Sequence, residues 1–322
     1  MKPTLQILIP AYNCQKEIIE TLNSIKKSKQ SIIISDNNSN DSTVNLIKNF
    51  SKINNNLKIK LLRNKKTLDV TENIKKCIKS SRADFVMLLS ANDIVDSRYL
   101  SKAKLILNKN KINLLLRNYN WFYKKKKTIV RKKRLENFNG YLNIYDTNHF
   151  NIFLDKIDQL SGIIFRRKIA LKYLHTMQNK SFIEFPSLII NFYKYSKIFY
   201  LDNYYISVRS EGGGSNSKNA YSSSPFLKWK KLLYRNFSEE IFIKCINIFL
   251  SSSFFSLVQL KIYGTNKLLF NEIFNYIKIN KLLLINLKFL AIIFITILLP
   301  KNFVKHLRTS VKIISYFRLK NS

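Results

Sequence analysis

Short apolar runs alternate with segments of helical periodicity along the N-terminal part of the chain. Four runs are too short for helices and are bounded by polar residues, which predicts buried strands at residues 5–9, 31–35, 57–62 and 85–89. Between them, apolar residues recur at helical spacing in residues 14–27, 42–50 and 71–79. Continuous apolar strands are typical of parallel sheets covered on both faces. The alternation therefore predicts an α/β fold with a doubly wound, mostly parallel sheet.

Polar residues follow three of these predicted strands. They are Pro10-Ala11-Tyr12-Asn13, the loop from Asp36 to Asp41, and the tip Ser90-Ala91-Asn92-Asp93. In open parallel sheets, ligands bind beyond the carboxyl ends of the strands. We therefore expect the three polar segments to meet in one crevice.

The charge balance indicates an anionic partner. The chain has 56 Lys and Arg against 19 Asp and Glu, a formal net charge of +37. Heavy use of Lys, Asn and Ile is typical of an AT-rich genome, but the surplus favours nucleic acid, anionic lipid or a phosphorylated substrate. The basic run from Lys124 to Arg134 is accompanied by no zinc spacing, helix-turn-helix or stacking platform. We therefore expect no nucleic-acid partner; the alternatives for this run are anionic lipid and a solvated hairpin.

Cysteines and histidines are too scattered to form a site. Three of each lie far apart and match no metal or disulfide spacing. The apolar run at the N-terminus is too short for a signal peptide. We therefore expect the chain to fold in a reducing cytoplasm.

Three segments in order carry a family resemblance: ILIPAYN, ISDNNSNDST and RADFVMLLSANDIV. They resemble the nucleotide-binding half of the family 2 glycosyltransferases, which have the GT-A fold. Asp36, Ser39, Asp41 and Thr43 match the family's D-x-x-S-x-D-x-T element, and Asn73 matches the Asn that opens the helix before the tip. The chain is most similar to members that act on lipid-linked O-antigen and capsule precursors, such as abequosyltransferase-like enzymes.

This resemblance implies a binding site for a nucleotide-diphosphate sugar. Tyr12 would stack on the base, and Asp36 would accept a hydrogen bond from its edge. Alone, Tyr12 is also compatible with an ordinary strand-end aromatic residue and Asp36 with an Asx turn. The full predicted set is Pro10, Ala11, Tyr12, Asn13, Asp36, Asn38, Asn73 and Arg209.

The tip is predicted to hold a divalent cation, Mg²⁺ or Mn²⁺, against the diphosphate. Ser90 and Asn92 stand where the family has acids, and Asp93 alone keeps a carboxylate. An amide carbonyl and one carboxylate, with phosphates and waters, can bind Mg²⁺, so Asn92 and Asp93 are the predicted ligands. The alternative is a decayed copy that binds nucleotide sugars as a scaffold subunit.

The second half is predicted to supply the acceptor site and the base. Residues 160–167 resemble the family's S-G-x-I-F-R strand, and Glu184-Phe185 stands where relatives carry an E-D pair. Glu184 is the only acid in residues 181–201, so it is the predicted base of an inverting transfer. A Glu favoured by the helix dipole is the alternative. The glycine-rich segment 211–215 is predicted to close over the diphosphate, with a flexible linker as the alternative.

The composition becomes helical, apolar and basic from Phe226 onward. This change predicts a GT-A domain at residues 1–225, with halves 1–110 and 111–225, followed by a membrane-associating tail at 226–322. Leu282–Leu299 is 18 residues with one charge, the short limit for spanning a bilayer, and residues 303–314 form a basic amphipathic helix. We expect peripheral or monotopic attachment to the inner face of the cell membrane; the alternative is a packed helical subdomain.

These features predict a transferase that moves a sugar from a nucleotide-diphosphate donor to a lipid-linked or nascent surface glycan, such as an O-antigen or capsule.

Overall fold

The computed structural model of the protein describes residues 2–109, 111–133, 135–143, 145–178, 183–195, 197–211, 221–252 and 254–320. The chain divides into two compact units. The first is Met1–Asn179 with Glu184–Ser210, and the second is Lys180–Ile183 with Glu211–Ser322. The domain boundaries expected after residues 110 and 225 stay predictions.

The first unit contains ten strands and seven helices among its described residues. The strands are β1 (Leu5–Ala11), β2 (Ser31–Asp36), β3 (Ile59–Arg63), β4 (Phe85–Leu88), β5 (Ile94–Val95), β6 (Leu114–Tyr123), β7 (Lys125–Lys132), β8 (Gly140–Leu142), β9 (Ile164–Arg166) and β10 (Ile198–Arg209). The helices are α1 (Ile18–Ile25), α2 (Thr43–Ile53), α3 (Val70–Ser80), α4 (Ser97–Lys109), α5 (Thr147–Lys156), α6 (Arg167–Tyr173) and α7 (Glu184–Ile189).

The strands form one sheet in the order β3-β2-β1-β4-β9-β6-β10-β5. The first four are mutually parallel, as is the pair of β6 with β10. The antiparallel strand β9 lies between β4 and β6 and so joins the N-terminal strands to the later ones. The predicted α/β class with a mostly parallel sheet is confirmed.

The predicted N-terminal strands and helices are all present, and the runs that form β1, β2 and β4 are almost entirely buried, whereas β3 at the edge of the sheet is only partly buried. Every residue of β4 is buried, and α1 and α3 turn their apolar faces to the sheet. The helix predicted from residue 14 instead begins at Ile18. The backbone N–H of Cys14 donates to Thr43 Oγ1 at 2.8 Å, which holds residue 14 in the loop.

Residues 125–132 of the basic run form the hairpin strand β7, antiparallel to β6. The guanidinium of Arg131 lies 4.5 Å from the centre of the Trp121 ring, and Lys133 forms an ion pair with Asp155. Two cations of the run are therefore engaged within the first unit.

The described part of the second unit is helical: α8 (Pro225–Asn236), α9 (Glu239–Ser252), α10 (Phe255–Tyr263), α11 (Asn266–Ile279), α12 (Leu287–Leu298) and α13 (Lys301–Lys320). The apolar segment 282–299 is not one helix. A short 3₁₀ turn, Lys281–Ile285, ends at Asn286, whose Oδ1 accepts a hydrogen bond from Phe289 N and caps α12. Among the described residues, no helix combines the length and the apolar character needed to cross a bilayer.

Candidate active site

The ends of β1 and β2 lie side by side. Ala11 is paired with Asp36 in the parallel register, and Asn37 N donates to Ala11 O at 2.8 Å. Beyond the strands, Asn13 N donates to Ser39 Oγ at 2.9 Å. Asn13 and Asn38 both have positive φ, 45° and 62°, a conformation that asparagine adopts more readily than most residues. Hydrogen bonds and these two turns therefore place two of the predicted segments at one edge of the sheet.

Asp36 has one satisfied and one unsatisfied carboxylate oxygen. Its side chain is fully buried, and Oδ2 accepts a hydrogen bond from Ser39 N at 3.1 Å and lies 3.6 Å from Arg63 Nε. Oδ1 is buried and has no hydrogen-bond partner. Tyr12, one residue beyond the strand register, is 51% exposed. An acceptor without a donor and an exposed ring at adjacent strand ends suit the edge and face of a nucleobase.

Asp41 and Thr43 brace the loop that carries Tyr12. Asp41 Oδ2 accepts from Gln15 N at 3.1 Å, and Thr43 Oγ1 accepts from Cys14 N at 2.8 Å. Asp41 Oδ1 also accepts from Thr43 N at 3.0 Å. Desolvation raises the pKa of Asp41, but the hydrogen bonds to the Thr43 side chain and to the backbones of Thr43, Gln15 and Asp41 together outweigh it, so the pKa is lowered. These two motif residues therefore connect the first loop to the start of α2.

Asn73 is buried, and its amide is used within the protein. Its Oδ1 accepts from Ser35 Oγ at 2.7 Å and from Asn64 Nδ2 at 3.1 Å, while its Nδ2 donates to Ser35 O at 3.0 Å. Asn64 also donates to Asn37 Oδ1 at 2.8 Å. This cluster joins the end of β2 to α3, and the binding role of Asn73 stays a prediction.

The tip after β4 is held by Ser161, a residue with no role in the sequence prediction. Ser161 Oγ accepts from Ser90 N at 2.9 Å and donates to Asp93 Oδ2 at 2.6 Å. The other oxygen, Asp93 Oδ1, accepts from Arg209 N at 2.8 Å. Burial raises the pKa of Asp93 to about 6, against the lowering effect of these hydrogen bonds and of Arg117 and Arg209. Asp93 therefore joins three segments of the chain.

Arg117 supports Ser161 from beneath the tip. Its guanidinium is fully buried and donates to Ser161 O at 2.6 Å and to Gln159 O at 2.8 Å. Gly162 follows with φ of 83°, and an added Cβ there would lie 2.5 Å from the Ile206 side chain. The turn at Gly162, which follows Ser161, therefore depends on a positive φ and on a close approach to Ile206 that only glycine permits.

Arg209 lies beside the tip. Its Nε donates to Asn92 O at 3.2 Å, its Nη2 donates to Glu20 at 2.6 Å, and its Nη1 donates to Lys124 O at 2.7 Å. The guanidinium also lies 4.6 Å from the Phe122 ring centre. The predicted loop 211–215 lies outside the described residues except for Glu211, so its closure is a prediction that the structure does not address.

The oxygens of the predicted cation ligands are engaged in hydrogen bonds within the protein. Asn92 Oδ1 accepts a hydrogen bond from Ser90 Oγ at 2.7 Å, and the carboxylate of Asp93 is buried with both oxygens accepting hydrogen bonds. Within the described ranges, no group of three or more His, Cys, Asp or Glu is arranged to hold a metal. Hard divalent cations need oxygen ligands that face them. The role of Asn92 and Asp93 as cation ligands therefore stays a prediction, and in this structure their oxygens already accept hydrogen bonds from the protein.

Glu184 is the first residue of α7. Residues 179–182 before it lie outside the described ranges, and the next residue, Phe185, packs its ring 6.4 Å from that of Phe165. Ser187 Oγ donates to Glu184 O at 2.7 Å, which closes the first turn. The catalytic role of Glu184 stays a prediction.

Sequence comparison identifies one family. Residues 6–174 match the family described as Glycosyl transferase family 2. This segment contains every predicted site residue except Glu184 and Arg209. No curated protein sequence matches the chain significantly.

Solved structures with a similar fold include two complexes of S. aureus TarS. TarS 1-349 with UDP-GlcNAc has a TM-score of 0.64 at 16% identity, covering 86% of this chain and 81% of that chain. The same protein with UDP has a TM-score of 0.59 at 14% identity, covering 97% and 89%. GalNAc-T7 with UDP, GalNAc and Mn²⁺ has a TM-score of 0.52 at 13% identity, covering 81% and 58%. At these identities the similarity concerns the fold alone.

Proposed function

The chain belongs to glycosyl transferase family 2, and we propose that it moves a sugar from a nucleotide-diphosphate donor to a lipid-linked or nascent surface glycan. Family membership makes the chain a glycosyltransferase. The observation that carries the donor proposal is the buried Asp36 Oδ1, which has no hydrogen-bond donor and lies in register with the strand end before the exposed Tyr12. The TarS and GalNAc-T7 structures with bound UDP support a uridine nucleotide as the first donor class to test.

Base recognition would use one hydrogen bond and one stacking surface. A ring N–H of the base would donate to Asp36 Oδ1, and the base would stack on Tyr12. Arg63, which closes β3 and lies 3.6 Å from Asp36 Oδ2, keeps a positive charge beside this carboxylate.

Transfer would proceed with inversion at the anomeric carbon. The acceptor hydroxyl gives its proton to the Glu184 carboxylate as its oxygen bonds to the anomeric carbon. The bond from that carbon to the diphosphate breaks, and its electron pair leaves with the nucleoside diphosphate. Glu184 is partly exposed at the start of α7 and is the only acid in residues 181–201, which supports this role.

The second unit supports an attachment to an anionic membrane surface. Four apolar residues of α12 lie on one exposed face at intervals of three and four: Leu287, Leu290, Phe294 and Leu298. The other side of the helix packs Ile292, Ile295 and Leu299 on a core that contains Val258 and Val304. Exposed lysines flank the apolar face at Lys281, Lys288, Lys301 and Lys305. An apolar face bordered by cations suits the head-group region of an anionic leaflet, where lipid-linked acceptors are found.

A thermal-shift screen of the full chain against nucleotide-diphosphate sugars tests this function. The bound donor should stabilise the protein by about 2.7 kcal/mol at a hundredfold excess over Kd, which raises Tm by several degrees. The same donor should release its nucleoside diphosphate when a lipid-linked glycan is added, and Glu184→Gln should abolish release while leaving the thermal shift intact. Binding without release by the wild type would instead indicate the scaffold function. No shift with any donor would contradict the proposal.

A further inference from the structure

We propose that the tip receives the donor diphosphate directly, through hydrogen-bond donors of the protein, without a bridging divalent cation. This inference rests on the proposed function, because it concerns how the same nucleotide-sugar site meets the diphosphate. It begins from the disagreement between the predicted cation ligands and the geometry of the tip.

The side chains of Ser90 and Asn92 are hydrogen-bonded to each other, which leaves the Asn92 amide N–H groups as donors. Ser90 Oγ donates to Asn92 Oδ1 at 2.7 Å, so the amide oxygen that would bind a cation is already an acceptor within the tip. The Asn92 Nδ2 amide then carries two N–H donors, and none of the described residues accepts a hydrogen bond from it. Both side chains are partly exposed. Amide N–H groups bind phosphate oxygens and repel cations.

Asp93 cannot turn to bind a cation without losing the hydrogen bonds that hold the tip. Its carboxylate is buried and takes one hydrogen bond from Ser161 Oγ and one from Arg209 N. A rotation toward the crevice would leave both donors unsatisfied and would release Ser161, which also fixes Ser90 N. Asp93 is therefore a positioning residue for the tip.

The charges around the tip are balanced within the protein. The negative charge of Asp93 lies near the guanidinium groups of Arg117 and Arg209, and Glu20 pairs with Arg209 at 2.6 Å. A tip with two exposed carboxylates repels a diphosphate, and a divalent cation is then needed to bridge them. With Ser90 and Asn92 in those positions, neither the repulsion nor the cation ligands are present. The diphosphate meets neutral N–H donors instead.

Titration calorimetry with UDP and the other nucleoside diphosphates tests this on the full chain. Each titration is run with EDTA and again with Mg²⁺ or Mn²⁺. Wild-type affinity should differ by less than about twofold between the two buffers. Asn92→Asp keeps the shape of the side chain but replaces the N–H donors with a carboxylate, so affinity in EDTA should fall at least about tenfold. Cation should restore part of that loss, because the variant now has a facing carboxylate.

Asn55→Asp is the matched control, since it makes the same charge change at an exposed position after α2 and should leave affinity unchanged in both buffers. The inference is overturned if the nucleotide affinity of the wild type is tenfold or more lower in EDTA than with cation. It is also overturned if Asn92→Asp binds the nucleotide as tightly as the wild type in EDTA. Such results leave the transferase function standing, because the nucleotide still binds. If no nucleoside diphosphate binds in either buffer, the proposed function fails and this inference fails with it.

Discussion

Two buried aspartates of the first unit differ in how many of their oxygens the protein uses. Asp93 accepts a hydrogen bond at each oxygen, whereas Asp36 leaves Oδ1 without a donor. Buried acceptors in folded proteins are nearly always paired, so the unpaired Oδ1 supports the proposed binding role of Asp36. The sequence presents both residues in the same way, as an acid after a buried strand. Only the contacts distinguish Asp36, the proposed base-binding carboxylate, from Asp93, whose two oxygens the protein uses itself.

Asp36→Asn should weaken nucleotide binding without unfolding the protein. The asparagine can keep the hydrogen bond from Ser39 N through Oδ1, which places its N–H₂ where the base donor must bind. The loss of a charge-assisted hydrogen bond costs about 1.5–3 kcal/mol, or roughly 10- to 100-fold in affinity. Calorimetry with the donor nucleotide measures this loss, and circular dichroism should give a Tm close to that of the wild type.

Asp69→Asn is the control for Asp36→Asn. Asp69 Oδ1 caps α3 by accepting from Thr71 N at 2.9 Å, and asparagine caps a helix equally well. Its nucleotide affinity should therefore equal that of the wild type. A folded Asp36→Asn variant with unchanged affinity would remove Asp36 from the base site.

Sequence reasoning could locate the strand ends but could not show which way their side chains point. The apolar runs predict β1, β2 and β4, because burial of a whole strand leaves a local pattern. The partners of Asp93 lie at Ser161 and Arg209, 68 and 116 residues away. No local pattern reports such contacts, so the sequence alone indicates neither that both Asp93 oxygens accept hydrogen bonds nor that Ser161 holds the tip. The positive φ of Asn13 and Asn38 was equally invisible.

At the scale of elements, asparagine caps decide how the apolar tail is divided. Residues 282–299 look like one segment if only apolar residues and charges are counted. Asn286 carries no charge, so such a count does not mark it as a break, but its Oδ1 caps α12 and so starts a new helix. Asn280 caps the preceding turn in the same way, by accepting from Leu282 N at 3.0 Å. The helix that results has 12 residues. At 1.5 Å per residue it is shorter than the hydrocarbon core of a bilayer.

A buried acid from one helix caps another in the second unit. Glu272 of α11 is fully buried, and its Oε1 accepts from Phe226 N at 2.9 Å in the first turn of α8. Its Oε2 accepts from Ser224 Oγ, the N-cap of the same helix. Burial raises the pKa of Glu272 above its usual value, although both hydrogen bonds lower it. The folded protein therefore holds the proton of Glu272 more tightly than the unfolded chain does.

Glu272→Gln should change how the free energy of unfolding depends on pH. Because the pKa is raised on folding, the contribution of Glu272 is fully present below its unfolded pKa and is lost as pH rises through the folded value. Glutamine has no such loss. The Tm of the wild type minus that of Glu272→Gln should therefore decrease as pH rises above 4.5, as measured by thermal unfolding from pH 4 to 8.

Glu240→Gln provides a control of opposite sign. The pKa of Glu240, an exposed residue paired with Lys244 at 2.7 Å, is lowered by that hydrogen bond and charge. The contribution of Glu240 to the free energy of unfolding is present above its unfolded pKa and is lost only as pH falls through the folded value. The Tm of the wild type minus that of Glu240→Gln should therefore stay level from pH 5 upward. A level curve for Glu272→Gln over the same range would contradict the assigned shift.

For the molecule as a whole, two kinds of surface could carry the proposed membrane attachment. The net charge of +37 attracts any anionic surface, and this attraction is screened by salt. The exposed face of α12 gains free energy by leaving water, which salt does not screen. β7 contains much of the basic run, but Arg131 of this strand stacks on Trp121, and Lys133, which follows the strand, pairs with Asp155. We therefore expect α12 rather than β7 to hold the chain at a membrane.

Replacing Leu287, Phe294 and Leu298 together with glutamate should release the protein from vesicles that contain phosphatidylglycerol. Burying an apolar side chain of this size contributes about 1.5–3 kcal/mol, and three such losses should reduce partitioning at least about 100-fold. Co-sedimentation at low and high salt measures it, and the wild type should stay bound at high salt. Ile53→Glu is the matched control, because Ile53 in the first unit is as exposed as Leu287, at 82%. That variant should sediment like the wild type. A contrary result would be that high salt abolishes wild-type binding and that the triple variant still binds at low salt. This result would assign the attachment to the basic residues and not to α12.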